Sequence, residues 1–322
     1  MTTFKEIRGT TVESVSSDPT NPEVGQIWYN NTIGVLKGYQ SIGAAWASGG
    51  NMATARQSPA GAGIQTAGLV FAGLTTVVVA NTEEYDGSAW AAGGTMGTAR
   101  YVLGGCGTQT AGLAFGGNTG ALTTATEEYD GSAWTAGGNM GTARRLLGGA
   151  GTQTAGLGFG GFISTVQSIT EEYDGSAWTA GGSLSTARYA PAGAGTQTAG
   201  LGAGGYATVA VANTEEYDGS VWAGSGNLNT ARYCGSAGTQ TAGLAFGGYA
   251  TSPAGNTAAT EEYNGTSWTN STNMGTARRN LAGAGTQTLG LAAAGLTTVN
   301  SAATEEYTNP SFATKTITTS TS

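Results

Sequence analysis

The residues with which this chain could do acid–base chemistry are six adjacent glutamate pairs, each followed by a tyrosine. They are Glu83-Glu84-Tyr85, Glu127-Glu128-Tyr129, Glu171-Glu172-Tyr173, Glu215-Glu216-Tyr217, Glu261-Glu262-Tyr263 and Glu305-Glu306-Tyr307. The steps between them are 44, 44, 44, 46 and 44 residues. An arginine ending a Thr-Ala-Arg triplet keeps the same beat, at Arg56, Arg100, Arg144, Arg188, Arg232 and Arg278. A working acid and base need different environments that drive their pKa values apart. Six equivalent pairs share one environment, so they are not read as catalytic. Six arginines in register could hold an anion or an acidic sugar. The equal counts favour a structural role, with each arginine pairing a strand glutamate and tying neighbouring repeats together. Histidine, the commonest general base and imidazole metal ligand, is absent.

These residues need elements that place them, and the period defines those elements. A repeat of this length means a solenoid, a propeller or an array. In the third repeat, a strand is expected from Arg145-Leu146-Leu147, and Gly151-Thr152-Gln153-Thr154 makes a turn. A second strand covers Ala155 to Phe159 and stops at Gly160-Gly161. A loop, Phe162 to Ile169, leads to a third strand at Thr170–Tyr173, then a tight Asp174-Gly175 turn and a fourth strand with Trp178. No window has helical periodicity. We call these strands a to d. The predicted fold is all-β: a six-bladed β-propeller of four-stranded antiparallel blades with an N-terminal extension and β-hairpin.

Residues 1–50 form the expected N-terminal segment, 51–318 the propeller and 319–322 a tail. The blades fall at about 51–94, 95–138, 139–182, 183–226, 227–272 and 273–318. A hairpin is expected around Asn30-Asn31-Thr32. Tyrosine and the tryptophan five residues on should wedge between sheets: Tyr85 and Trp90, Tyr129 and Trp134, Tyr173 and Trp178, Tyr217 and Trp222, Tyr263 and Trp268. Phe312 takes the tryptophan's place in the last copy, while Trp46 stands in phase 44 residues before Trp90. Either the Trp46 strand or Ser311–Thr318 can close the ring; the former is expected, because one sheet made from both chain ends resists unzipping.

The net charge is −8, only 10% of residues are charged and three are lysine. That argues against binding a nucleic-acid backbone, which needs basic stripes. No stretch is apolar and long enough to span a membrane, and no secretory signal opens the chain. Cys106 and Cys234 fall in repeats expected to lie opposite each other, so no disulfide is expected. No metal site or cofactor is anticipated.

The Gly160-Gly161 pair, Tyr173, Trp178 and Arg188, with their equivalents, resemble the kelch motif. The Tyr-to-Trp spacing and the period are shorter than usual for kelch. The resemblance implies the fold; propellers host many functions. Separately, Ser17-Asp18-Pro19, Asn21-Pro22, Gly25 to Asn30 and Leu36-Lys37 resemble the start of structural proteins of tailed, cyanophage-type bacteriophages. This second resemblance implies a virion component (a fibre, spike or decoration), made in the host cytoplasm and joined to other virion proteins through its N-terminal segment, as a homo-oligomer.

In such a blade the b–c and d–a loops share one face. The b–c loops vary most between repeats, and the fifth, Tyr249–Ala259, is three residues longer than the others. Variable loops on a rigid scaffold are where recognition is expected. Phe162, Tyr206 and Tyr249, with Arg145 and Arg279, are the expected binding residues. A host-surface glycan or receptor is the expected partner, and no enzyme activity is expected. The alternative is an intracellular kelch-type scaffold for a protein partner; a glycan-acting propeller enzyme is a third reading.

Overall fold

A computed structural model describes residues 12–317. Residues 1–11 of the expected N-terminal segment and the 319–322 tail lie outside them. Every regular element among the described residues is a strand. The chain divides into two compact units, Met1–Ala45 with Asn309–Ser322, and Trp46–Thr308.

The first unit contains the expected hairpin. Ile27–Asn30 pairs antiparallel with Val35–Gly38, and Glu13–Val15 adds in parallel to Trp28–Asn30. Asp18 ties it together, accepting hydrogen bonds from Trp28 Nε1 at 3.1 Å, Asn30 Nδ2 at 2.9 Å and Lys37 Nζ at 2.5 Å. The Lys37 bond, with those from Asn30 and Trp28, pulls the Asp18 carboxyl down to about 2. Trp28 is fully buried.

The second unit consists of β-propeller-like blades: the first four repeats form four-stranded antiparallel sheets whose strands follow chain order, the fifth adds a short strand, Ala254–Asn256, and the strands of the sixth belong to a six-stranded sheet. In the third repeat the strands are Gly148–Thr152, Ala155–Phe159, Thr170–Tyr173 and Trp178–Ala180. Strand a thus begins three residues later than expected. Arg145 makes a single bridge to Phe162, and Leu146 has φ 56°, which breaks an extended run. Ser58, Val102, Ala190 and Asn280 share this left-handed conformation at equivalent positions. It is costly for a non-glycine residue, above all for β-branched Val102.

The first strands crowd together. Ala60–Ile64 lies against Gly104–Thr108, which lies against Gly148–Thr152, then Ala192–Thr196, Arg232–Gly238 and Ala282–Gly285, and the last contacts Ala60–Ile64. Their glycine and alanine content follows from this packing. A Cβ on Gly193 would sit 2.3 Å from the Gly149 carbonyl oxygen, a distance no side chain tolerates.

Three side chains recur between sheets. Gln153 Nε2 donates to the carbonyls of Gly112 at 3.1 Å and Tyr129 at 2.7 Å, both in the preceding repeat. Gln65, Gln109, Gln197, Gln240 and Gln287 do likewise. Trp178 lies 5.1 Å from the Tyr173 ring and 4.9 Å from Phe115 of the preceding repeat, and donates to Thr126 Oγ1 there at 2.9 Å. The tyrosine reaches back too: Tyr173 Oη donates to Glu128 at 2.5 Å. Aromatic pairs of this size supply the apolar burial that glycine-rich strands lack.

The sixth repeat has no Asp-Gly turn after Tyr307. Its third strand runs on from Thr304 to Thr316, and Phe312 does not follow a hairpin as the other tryptophans do. The side chain of Phe312 is not among those described. Trp46 makes the equivalent contacts instead. It packs 5.2 Å from Tyr307 and 5.2 Å from Phe246, and donates to Thr260 Oγ1 at 3.0 Å.

Candidate functional site

The repeat arginines are fully buried. Each pairs with the first glutamate of its own repeat: Arg56–Glu83 at 2.8 Å, Arg100–Glu127 at 3.2 Å, Arg144–Glu171 at 2.8 Å, Arg188–Glu215 at 3.0 Å, and Arg232–Glu261 and Arg278–Glu305 at short range. The pairs therefore lie within blades, which corrects the expectation that they tie neighbouring repeats together. Between repeats it is the arginine backbone that links: Gly117 N donates to Arg144 O, and Gly161 N to Arg188 O, each at 2.9 Å. Burial pulls Arg56 down to about 10, with Glu83 opposing, so the guanidinium stays charged at neutral pH. No arginine of this set is open to an anion.

Above the buried arginines the chain surrounds a mouth. The residue after each repeat arginine bridges to the first residue of the b–c loop: Arg145 to Phe162, Tyr189 to Tyr206 and Arg279 to Leu296. Gln57 and Tyr101 do the same with Leu74 and Asn118. Gln57, Tyr101, Tyr189 and Tyr233 line a cavity of about 290 Å³. Below it a neck includes Leu103, Leu147, Pro191 and Leu281. Below that, a cavity of about 240 Å³ is lined by the glycine-rich first strands. Main-chain bonds link the neck residues from repeat to repeat: Ser58 N to Asn280 O, Val102 N to Ser58 O, Leu146 N to Val102 O and Ala190 N to Leu146 O. Ser58, Val102, Leu146, Ala190 and Asn280 all have left-handed φ, so backbone strain is concentrated at this neck.

The five expected binding residues fall on this rim, all partly exposed. Arg145 lies 5.5 Å over the Phe162 ring. Phe162 meets Tyr189 edge-on at 5.9 Å, and Tyr189 stacks on Tyr206 at 5.0 Å. In the next repeat Tyr233 stacks on Tyr249 at 5.8 Å, and Arg279 lies 5.3 Å over Tyr249. Burial pushes the Tyr233 phenol up to about 12 and raises that of Tyr189, so both are hydrogen-bond donors at neutral pH.

Three members of this aromatic series, Tyr101, Tyr189 and Tyr233, were not expected from sequence. The signal was the position following the constant Thr-Ala-Arg, which reads Gln57, Tyr101, Arg145, Tyr189, Tyr233 and Arg279 across the repeats. The longer fifth loop forms a hairpin, Gly243–Thr251 with Ala254–Asn256. Asn256 Nδ2 donates to Leu296 O at 2.9 Å and Thr297 O at 3.1 Å, and its Oδ1 accepts from Arg279 at 3.0 Å.

Cys106 and Cys234 are free thiols, the first buried and the second partly so. Burial raises Cys106 to about 12 and also raises Cys234, so neither is a thiolate nucleophile at neutral pH. No protein-family model matches the chain, and no curated protein matches it.

Proposed function

We propose that this chain is a non-enzymatic recognition protein: a closed, six-bladed, kelch-like propeller that binds a glycan on its b–c loop face. Blade boundaries follow the repeat, from 51–94 to 273–318. Closure is supported by Trp46, which supplies the indole that the sixth repeat lacks, and by Gln65, which donates to carbonyls of Gly290 and Tyr307. The binding reading rests on one observation: the rim carries partly exposed, stacked aromatic rings beside arginines, where sugars stack and hydrogen-bond. Binding of a glycan array by the purified chain, weakened by Tyr189→Ala, tests it; an array with no binding ends it.

In this reading the N-terminal segment attaches the propeller to a bacteriophage particle as a fibre, spike or decoration, in several copies. The support is the likeness of Ser17 to Lys37 to such proteins, and the fact that these residues belong to a unit separate from Trp46–Thr308. Removing residues 1–40 is expected to abolish incorporation into particles while the propeller stays folded; truncated chain found in purified particles by mass spectrometry would refute the attachment. Tyrosine and arginine are also enriched at protein hot spots. An intracellular scaffold is therefore the rival reading, distinguished by a partner pulled from host lysate with no binding to glycans.

A further inference from the structure

We infer that the ligand of this face is an acidic oligosaccharide, with a sugar carboxylate held at Arg279. This rests on the glycan reading above and specifies its chemistry. The argument is a charge inventory. The b–c connections, such as 160–169 and 247–259, and the d–a connections, such as 137–147 and 271–281, contain no aspartate or glutamate in any repeat. The repeat arginines are all neutralised by buried glutamates. Arg145 and Arg279 are not: among the described residues neither has a carboxylate partner. They are therefore uncompensated positive charges in a chain whose net charge is −8.

The opposite face has the reverse sign. Its c–d turns expose Asp86, Asp130, Asp174 and Asp218, each held below the usual carboxylate range by backbone and serine hydrogen bonds. A polyanion is thus repelled from one side and attracted to the other.

The two cations are not alike. Arg279 is held over Tyr249 and bonded by Asn256, which is itself fastened to two carbonyls of the neighbouring loop. Its guanidinium is positioned in advance, so little side-chain entropy is lost on binding. Arg145 has only the Phe162 ring, and its Nε is buried with no acceptor. Arg279 is the anchor for a carboxylate and Arg145 a second, weaker site along the same rim. The hairpin that lengthens the fifth repeat exists, on this reading, to fix that anchor.

The test is calorimetric titration of the full chain with oligogalacturonate, maltohexaose and a chitin hexamer, at low and high salt. Oligogalacturonate should bind tightest and weaken with salt. Arg279→Gln and Asn256→Ala should each reduce its affinity about tenfold or more, as loss of a charge-assisted contact requires. Arg279→Lys should recover part of it, and near-ultraviolet circular dichroism should be unchanged in all variants. Equal binding of the neutral hexamers, or binding insensitive to salt and to Arg279→Gln, overturns the acidic-ligand inference while leaving glycan recognition intact. Failure of every sugar, on this panel and on a broad array, overturns both.

Discussion

Glu171 and Glu172 are neighbours on one strand, so their side chains leave on opposite faces of the sheet. Glu171 meets Arg144 of its own repeat, and Glu172 accepts the phenol of Tyr217 in the next at 2.5 Å. The sequence shows six equal pairs; a strand's period of two divides them into two classes, one holding a blade and one joining blades. Removing one partner of a buried ion pair strands the other. Arg188→Ala should therefore cost about 3–5 kcal/mol in guanidinium unfolding, since Glu215 is left buried.

The tyrosines predict the alkaline limit. Burial and the glutamate hydrogen bond raise Tyr85, Tyr129, Tyr173, Tyr217 and Tyr263 from 10.0 to about 12, and Tyr307 further. The folded state holds these protons more tightly than the unfolded chain. Their contribution is whole below about pH 10 and is lost as pH rises through about 12. Urea midpoints should fall steeply across that window, and Tyr173→Phe should make the fall shallower. A flat profile there would show that the phenols are not so placed.

Strands b, c and d were legible as elements because their signals are local: alternation, Gly-Gly stops and Asp-Gly turns. Strand a was misplaced because nothing in Arg145-Leu146-Leu147 announces a left-handed residue; that conformation is imposed by the neighbouring repeat, whose Val102 carbonyl accepts from Leu146 N. The glutamine of the a–b turn also reads as turn chemistry, and its two inter-repeat bonds appear only when sheets are packed. Gln153→Ala should leave the Gly112 and Tyr129 carbonyls without their donor and cost about 1–3 kcal/mol in the same unfolding measurement. The rim was half legible. The variable b–c loops point to Phe162, Tyr206 and Tyr249, whereas Tyr189 and Tyr233 follow an invariant Thr-Ala-Arg whose constancy masks the variable position beside it.

At the scale of the whole molecule, the absence of an Asp-Gly turn after Tyr307 and the presence of Trp46 in phase were two halves of one fact. Neither half was decisive alone, since contacts at this separation leave no local trace. Trp46→Ala should destabilise the chain by about 3–5 kcal/mol, as loss of a packed indole does elsewhere, and lower its melting temperature. A melt unchanged by that substitution would show that Trp46 does not hold the sixth repeat.

The Trp46 contact also has a consequence for how the protein is made. Its hydroxyl acceptor on Thr260 is translated 214 residues later. At roughly 5–20 residues per second, the indole waits on the order of ten to forty seconds on the ribosome before its niche exists. Each intermediate repeat can dock on the one before it as it emerges, but the earliest indole has nothing to dock on until the fifth repeat supplies Phe246 and Thr260, and its niche is complete only when the sixth supplies Tyr307. Folding of this chain is thus a process whose final step belongs to its first-made aromatic residue of the repeat series.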